Sequence, residues 1–217
     1  MAPVKVYAPN MSTAAARVLL CLEEVGAEYE QVPINFATGE HKSPAHLARN
    51  PFGQVPALED GDLMLFESRA IGRYVLRKFK SPGADLLHED NLAESAMVNV
   101  WLEVEAQQYD KVMSLIFYQL IVIPVFYGGK TDEKVVAENL EKLCKVLDVY
   151  EARLSKSKYL AGDFLSFADI SHIPLTHFFM SSPHASVFDA RPHVKAWWES
   201  LASRPSYKKV TAAMSSK

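Results

Sequence analysis

Along the first 80 residues the hydrophobic spacing keeps switching between period 2 and period 3.6; after residue 91 only the helical period remains. Val4–Tyr7 reads as a short strand, and Ser12 stands where an N-cap would, ahead of a helix over Thr13–Val25 with Gly26 at its C′ end. Glu28–Ile34 alternates as a second strand. Ser43-Pro44 opens a short helix to Arg49, because proline fits the first helical position. Val55–Glu59 and Leu63–Phe66 flank Asp60-Gly61, a hairpin signal, and Glu67–Phe79 is helical again. The order is β-α-β-α-β-β-α. Residues 81–91 read as a linker. Beyond them come long helical patterns over Leu92–Val122 and Asp132–Leu154, a helix opened by Ser166 and Asp169 as an acidic capping box, and a shorter one over Arg191–Ala202. A chain of 217 residues accommodates this division, with a mixed α/β domain over 1–80 and an all-helical one over 92–217.

Composition removes several function classes. With 23 basic and 26 acidic residues the net charge is −3, so no global basic footprint for nucleic acid exists. Val112–Gly129 carries no charge, but Ser114, Gln119, Pro124 and Gly128-Gly129 interrupt it, and we read it as a buried helix rather than a membrane span. The first residues lack a signal-peptide pattern, which points to the cytosol. Cys21 and Cys144 are isolated, with no Cys-x-x-Cys and no Cys/His ligand spacing, so no metal site is expected. Cys21 lies within an apolar helical pattern and reads as a core residue.

The segments Met11-Ser12, Glu40-His41-Lys42-Ser43-Pro44, the run Arg49-Asn-Pro-Phe-Gly-Gln-Val-Pro-Ala57, Phe66-Glu67-Ser68-Arg69-Ala70-Ile71 and Ser166-Phe-Ala-Asp169 occur in this order over nearly the whole chain. Together they resemble the phi-class glutathione transferases of plants. The resemblance implies a thioredoxin-like N-terminal domain and a helical C-terminal domain. It implies an enzyme that adds the glutathione thiolate to electrophilic, hydrophobic small molecules such as xenobiotics and herbicides. Glutathione is then a co-substrate, with no further cofactor, and the same thiolate can also reduce hydroperoxides.

The residues suit those roles chemically. The thiolate is the nucleophile, and lowering a thiol pKa from near 8.5 by ~2 units takes about 2.7 kcal/mol of anion stabilisation. A hydroxyl at a helix N-terminus, Ser12, is suited to supply it, and the resemblance assigns Ser12 that task. Helix capping is its plain alternative role. The phi pattern continues with a small residue, a Thr and two Args; here Thr13-Ala14-Ala15-Ala16-Arg17 keeps only the last Arg. Ser68, with the first N–H groups of its helix, can bind the γ-glutamyl carboxylate, and Glu67 can face the ammonium. The resemblance gives His41 and Lys42 to the glycine carboxylate, Gln54 to the γ-glutamyl backbone, and the backbone of Val55-Pro56, with a cis bond, to the cysteinyl part. It also implies an apolar pocket for the electrophile, with Met11, Thr13 and Phe36 from one domain and Leu115, Ile116, Tyr118, Gln119 and Ile123 from the other. Phe52 is expected to insert into a second copy of the chain in a symmetric homodimer, and Ser166 and Asp169 to be structural.

Three alternatives stay open at this point. Tyr7, at the end of the first strand, is a second candidate hydroxyl. A thiol transferase or dehydroascorbate reductase would need a cysteine where Ser12 stands. A non-catalytic carrier of flavonoid-like ligands could use the same fold.

Overall fold

The computed structural model describes residues 3–81 and 83–215. Met1, Ala2, Pro82, Ser216 and Lys217, which belong to the expected domain and linker spans, lie outside the described residues. The chain divides into two compact units, Met1–Leu87 together with Arg204–Lys217, and His88–Ser203.

The first unit is built on a four-stranded sheet in the order β2-β1-β3-β4. Strand β1 (Val4–Tyr7) pairs in parallel with β2 (Tyr29–Val32), which requires a crossover, and helix α1 (Thr13–Val25) supplies it. Strand β3 (Ala57–Asp60) runs antiparallel to both β1 and β4 (Leu63–Phe66). Asp60 pairs with Leu63, so the two-residue turn is Gly61-Asp62, one position later than the sequence suggests. Gly61 takes φ 59 there, the left-handed conformation that the first turn position demands. The second strand is shorter than the alternating run Glu28–Ile34. Strand β3 starts after the cis Val55–Pro56 bond rather than at Val55, since proline brings no ladder N–H. Helix α2 (Pro44–Leu47) is short, and α3 (Ser68–Lys78) packs on α1.

The last helix, α11 (Pro205–Ser215), was expected with the helical domain; it packs on α1 in the first unit instead. Glu23 and Glu24 lie in the last turn of α1, where acids oppose the helix dipole. Arg204 offsets this with a fork, Nε donating at 2.7 Å and Nη2 at 2.5 Å to the Glu24 carboxylate, and Lys209 pairs with Glu23 at 2.8 Å. The Ser206 hydroxyl donates to Glu24 as well.

In the second unit one helical run extends over Leu92–Phe126. It comprises α4 (Leu92–Val104), α5 (Asp110–Phe117) and α6 (Ile123–Phe126), joined by π turns at Glu105–Tyr109 and Tyr118–Val122. By length and mean hydropathy, 1.4 in its most apolar window, this run could cross a bilayer. The run carries Glu94, Glu103, Glu105, Asp110 and Lys111, which leaves Val112–Phe126 uncharged, shorter than the roughly 20 residues a span needs. Of that stretch only Met113 and Ile116 are buried, against the expectation of a buried helix. Helices α7 (Glu133–Leu154), α8 (Phe167–Met180), α9 (Ser186–Asp189) and α10 (Pro192–Ala202) complete the unit. Asp169, fully buried, fastens three of its segments: it accepts from Ser166 N and Oγ at 3.0 and 2.7 Å, from Leu160 N at 3.0 Å and from Trp197 Nε1 at 3.0 Å. The capping box seen in the sequence is thus one part of a larger knot. Nearby, His172 Nδ1 lies 2.7 Å from the Ala168 carbonyl and therefore carries the proton, so its Nε2 accepts from the Tyr150 hydroxyl at 2.9 Å.

Candidate active site

Ser12 is the N-cap of α1, with extended backbone (φ −77, ψ 116), and its Oγ accepts from Ala15 N at 3.1 Å. Because a backbone N–H can only donate, this bond uses a lone pair of the serine oxygen and leaves its hydrogen for another acceptor. Capping and donation to a thiolate are therefore compatible, and the N-terminal end of the 13-residue helix adds its partial positive charge. Met11 and Thr13 flank it, both half-buried.

Tyr7 has a different assignment. Its hydroxyl donates to Glu59 Oε2 at 2.7 Å, its ring lies 4.1 Å beneath the Arg49 guanidinium, and it packs with Ile34 and Ala57 in a small core. Burial, and then the bond to Glu59, raise its pKa, so it holds its proton more firmly than a free tyrosine. The bond from Tyr7, and then that from Lys5, hold the Glu59 carboxyl below the ordinary range.

The loop before β3 gathers several of the remaining candidates. The Gln54 carbonyl accepts from Asn50 Nδ2 at 2.9 Å and lies 2.9 Å from His46 Nε2, which fixes the approach to the cis Val55–Pro56 bond. Lys42 Nζ donates to the Phe52 carbonyl at 3.0 Å. Gly53 sits at φ 59, where a Cβ would come within 2.8 Å of the His41 carbonyl oxygen, so any side chain there would be excluded by backbone. His41 faces Phe36, with ring centroids 4.4 Å apart. Burial, followed by the nearby Lys42 and His46 charges, lowers the His41 pKa, so its ring gives up its proton more readily than a free imidazole. The His41 Nδ1 is buried and makes no hydrogen bond. Phe52 is 66% exposed, touching Phe66 edge-on at 6.1 Å.

Glu67 and Ser68 stand at the start of α3. Glu67 adopts φ 70, ψ 104, a region that L-residues rarely occupy, and strain of this kind concentrates at ligand-binding turns. Ser68 is the first helical residue and is buried, and its Oγ accepts from Arg17 Nη1 at 2.8 Å. The sequence had offered Arg17 only as the remaining one of an expected arginine pair. Its burial against Ser68 comes from the packing of α1 on α3, which no local pattern announces.

In the helical unit Leu115 and Tyr118 are 48% and 45% exposed. The Gln119 side chain is occupied in the fold, its Oε1 accepting from Asp132 N at 2.9 Å. Ile123 packs on Gly129, where a Cβ would meet its Cγ2 at 2.7 Å. Ile116 is buried. An apolar hollow of about 70 Å³ lies on a neighbouring face of the same run, lined by Met113, Ile116, Phe117 and Leu120 together with Phe178 and Phe179 of α8. Among the described residues no group of His, Cys, Asp and Glu is arranged to hold a metal ion. Cys21 is fully buried, and burial raises its pKa, so it is chemically inert.

Comparisons with known proteins point to one family. Residues 2–77 match the glutathione S-transferase N-terminal domain and residues 109–205 the C-terminal domain. A rice (Oryza sativa subsp. japonica) protein named "Probable glutathione S-transferase GSTF1" is 64% identical over 214 residues, covering 99% of this chain and 98% of its own. The crystal structure of glutathione transferase F7 from Populus trichocarpa superposes with a TM-score of 0.95 at 52% identity, covering 98% of this chain and 100% of its own. Glutathione S-transferase I of maize, solved in complex with an atrazine glutathione conjugate, gives 0.93 at 60% identity, with 98% of each chain covered.

Proposed function

Since the chain belongs to the plant phi class of the glutathione S-transferase family, and is a transferase that conjugates glutathione to electrophiles, we propose that Ser12 is its catalytic residue. The observation that carries this reading is the Ser12 cap: Oγ accepts from Ala15 N and keeps its own hydrogen for the sulfur of glutathione. Together with the α1 N-terminus, that donor stabilises the thiolate over the thiol. The thiol proton leaves to solvent, and the sulfur attacks the electrophilic carbon. With 1-chloro-2,4-dinitrobenzene a C–S bond forms and chloride departs. Proximity of the two bound reactants supplies the rest of the acceleration.

We assign the tripeptide by chemistry. The N-terminus of α3 with Ser68 takes the γ-glutamyl carboxylate, and Glu67 takes the ammonium. Gln54 bonds the γ-glutamyl backbone, while Val55 and Pro56 pair with the cysteinyl part. Lys42 supplies charge, and His41 a hydrogen bond, to the glycine carboxylate. For the electrophile we retain Met11, Thr13 and Phe36 in the first unit and Leu115, Tyr118, Gln119 and Ile123 in the second, with atrazine-like aromatic herbicides as one substrate class. Hydroperoxide reduction by the same thiolate, a homodimer made through Phe52, and a cytosolic location where thiols are kept reduced complete the proposal.

The test is conjugation of 1-chloro-2,4-dinitrobenzene by wild type and Ser12→Ala, with the thiolate of bound glutathione followed by ultraviolet difference absorbance across pH. The variant is expected to return the bound thiol to its ordinary range, lowering kcat/KM at slightly acidic pH by about 100-fold, the equivalent of ~2 pKa units. Full activity in Ser12→Ala would remove Ser12 from the mechanism and bring Tyr7 back.

A further inference from the structure

We infer that Arg17 is a positioning residue for the γ-glutamyl carboxylate of glutathione, acting through the Ser68 hydroxyl that it holds at 2.8 Å. The inference rests on the reading of Ser68 as that carboxylate's partner. Arg17 is 2% exposed and projects from α1 toward the first residue of α3. A guanidinium only donates, so its bond must occupy a lone pair of Ser68 Oγ. The hydroxyl hydrogen is thereby turned away from Arg17, and it becomes more acidic because the oxygen already gives up electron density. The first N–H groups of α3 lack partners four residues earlier in the helix, so an arriving carboxylate meets these donors and the Ser68 hydrogen together. Behind them stands a buried positive charge, screened little by solvent.

A structural role alone would make Arg17 a strut between α1 and α3. The two roles part when the ligand loses its carboxylate. We would compare glutathione with the analogue 4-aminobutanoyl-cysteinylglycine, which lacks only the γ-glutamyl α-carboxylate, using wild type, Arg17→Gln, Arg17→Lys, Ser68→Ala and the double variant Arg17→Gln/Ser68→Ala. Arg17→Gln should raise KM for glutathione about tenfold, the loss expected for a charge-assisted hydrogen bond, with kcat at saturating glutathione changed by less than about twofold. The analogue's kcat/KM should not respond. The double variant should lose no more than the larger single effect, because both residues serve one contact. An equal loss on glutathione and analogue would reduce Arg17 to a strut and overturn the inference; so would an unchanged KM in a folded Arg17→Gln. Should Arg17→Gln fail to fold, Arg17→Lys, which keeps the charge but not the planar fork, must show the same selective loss, and an equal or absent loss there overturns it. If Ser68→Ala itself binds glutathione normally, the assignment of Ser68 fails first, which is a distinguishable outcome.

Discussion

The loops and caps of the first unit and the α4–α6 run of the second hold their candidate side chains by opposite means. In the first, polar groups are tied one to another: Ser12 to Ala15, Ser68 to Arg17, Gln54 to Asn50 and His46, Lys42 to Phe52. Each bond fixes an atom to within a few tenths of an ångström and a direction to within tens of degrees, as recognition of a single tripeptide requires. In the second, Leu115 and Tyr118 are half exposed, with Tyr118 leaning on the Tyr127 ring at 6.4 Å between centroids, and Gln119, whose Oε1 accepts from Asp132 N, is an exception to the apolar rule. Apolar contact is non-directional, so such a surface tolerates many shapes. On the proposed assignment of the site, this difference would make the fold strict about its thiol and lax about its electrophile.

The comparison can be broken at its strongest exception, Asp169, a directional knot inside the otherwise apolar unit. Asp169→Ala would strand four donors, two of them from the Leu160 and Trp197 segments, and should destabilise by about 3–5 kcal/mol in chemical denaturation. A loss under about 1 kcal/mol would mean that packing alone orders this unit. Leu115→Ala tests the permissive surface next. It should change kcat/KM among electrophiles by up to about tenfold in either direction, in line with one or two methylene contacts, while KM for glutathione stays constant. A uniform change across all electrophiles would contradict the reading. The smallest effect belongs to a directional bond far from the chemistry. Asp60 accepts from Lys78 and Tyr74, and these bonds, that from Lys78 above all, hold its carboxyl below the usual range. Because the folded pKa is the lower one, the stabilisation is complete above the ordinary aspartate value near 3.9 and fades as pH falls through the folded value. Asp60→Asn should therefore cost about 1 kcal/mol at pH 7, with the gap from wild type closing toward pH 2–3 in thermal unfolding. A gap independent of pH would show that the charge of Asp60 contributes nothing.

What could be read from residues alone follows the same division. Ser12, Ser43 and Asp169 announce themselves because caps are local, set by three or four neighbouring residues, and the β-α-β-α-β-β-α order follows from periodicity that each element carries by itself. Arg17 was not legible as a site residue, since its partner lies 51 positions away across a helix packing. The face of the long helix was also hidden. Each π turn, at Glu105–Tyr109 and Tyr118–Val122, inserts a residue into the 3.6-residue repeat and advances the phase by about 100°. Counting by threes and fours from Leu115 to Ile123 crosses the second turn, so those two residues do not keep the common face that counting gives them, whereas Met113, Ile116, Phe117 and Leu120 around the hollow keep ordinary helical spacing. The attachment of α11 escaped for the first reason again, its ion pairs to Glu23 and Glu24 spanning nearly the full chain.

That attachment has a consequence for synthesis. A ribosome delivers β1 through α3, then the whole helical unit, and only afterwards the arginine and lysine that neutralise the last turn of α1 and the serine that donates to it. Until those residues emerge, Glu23 and Glu24 stand at the negative end of α1 without their cations, and the face that α11 covers remains open. The helical unit, whose residues are consecutive, can mature during translation. The unit carrying Ser12 and Ser68 becomes complete only after it, although it was begun first.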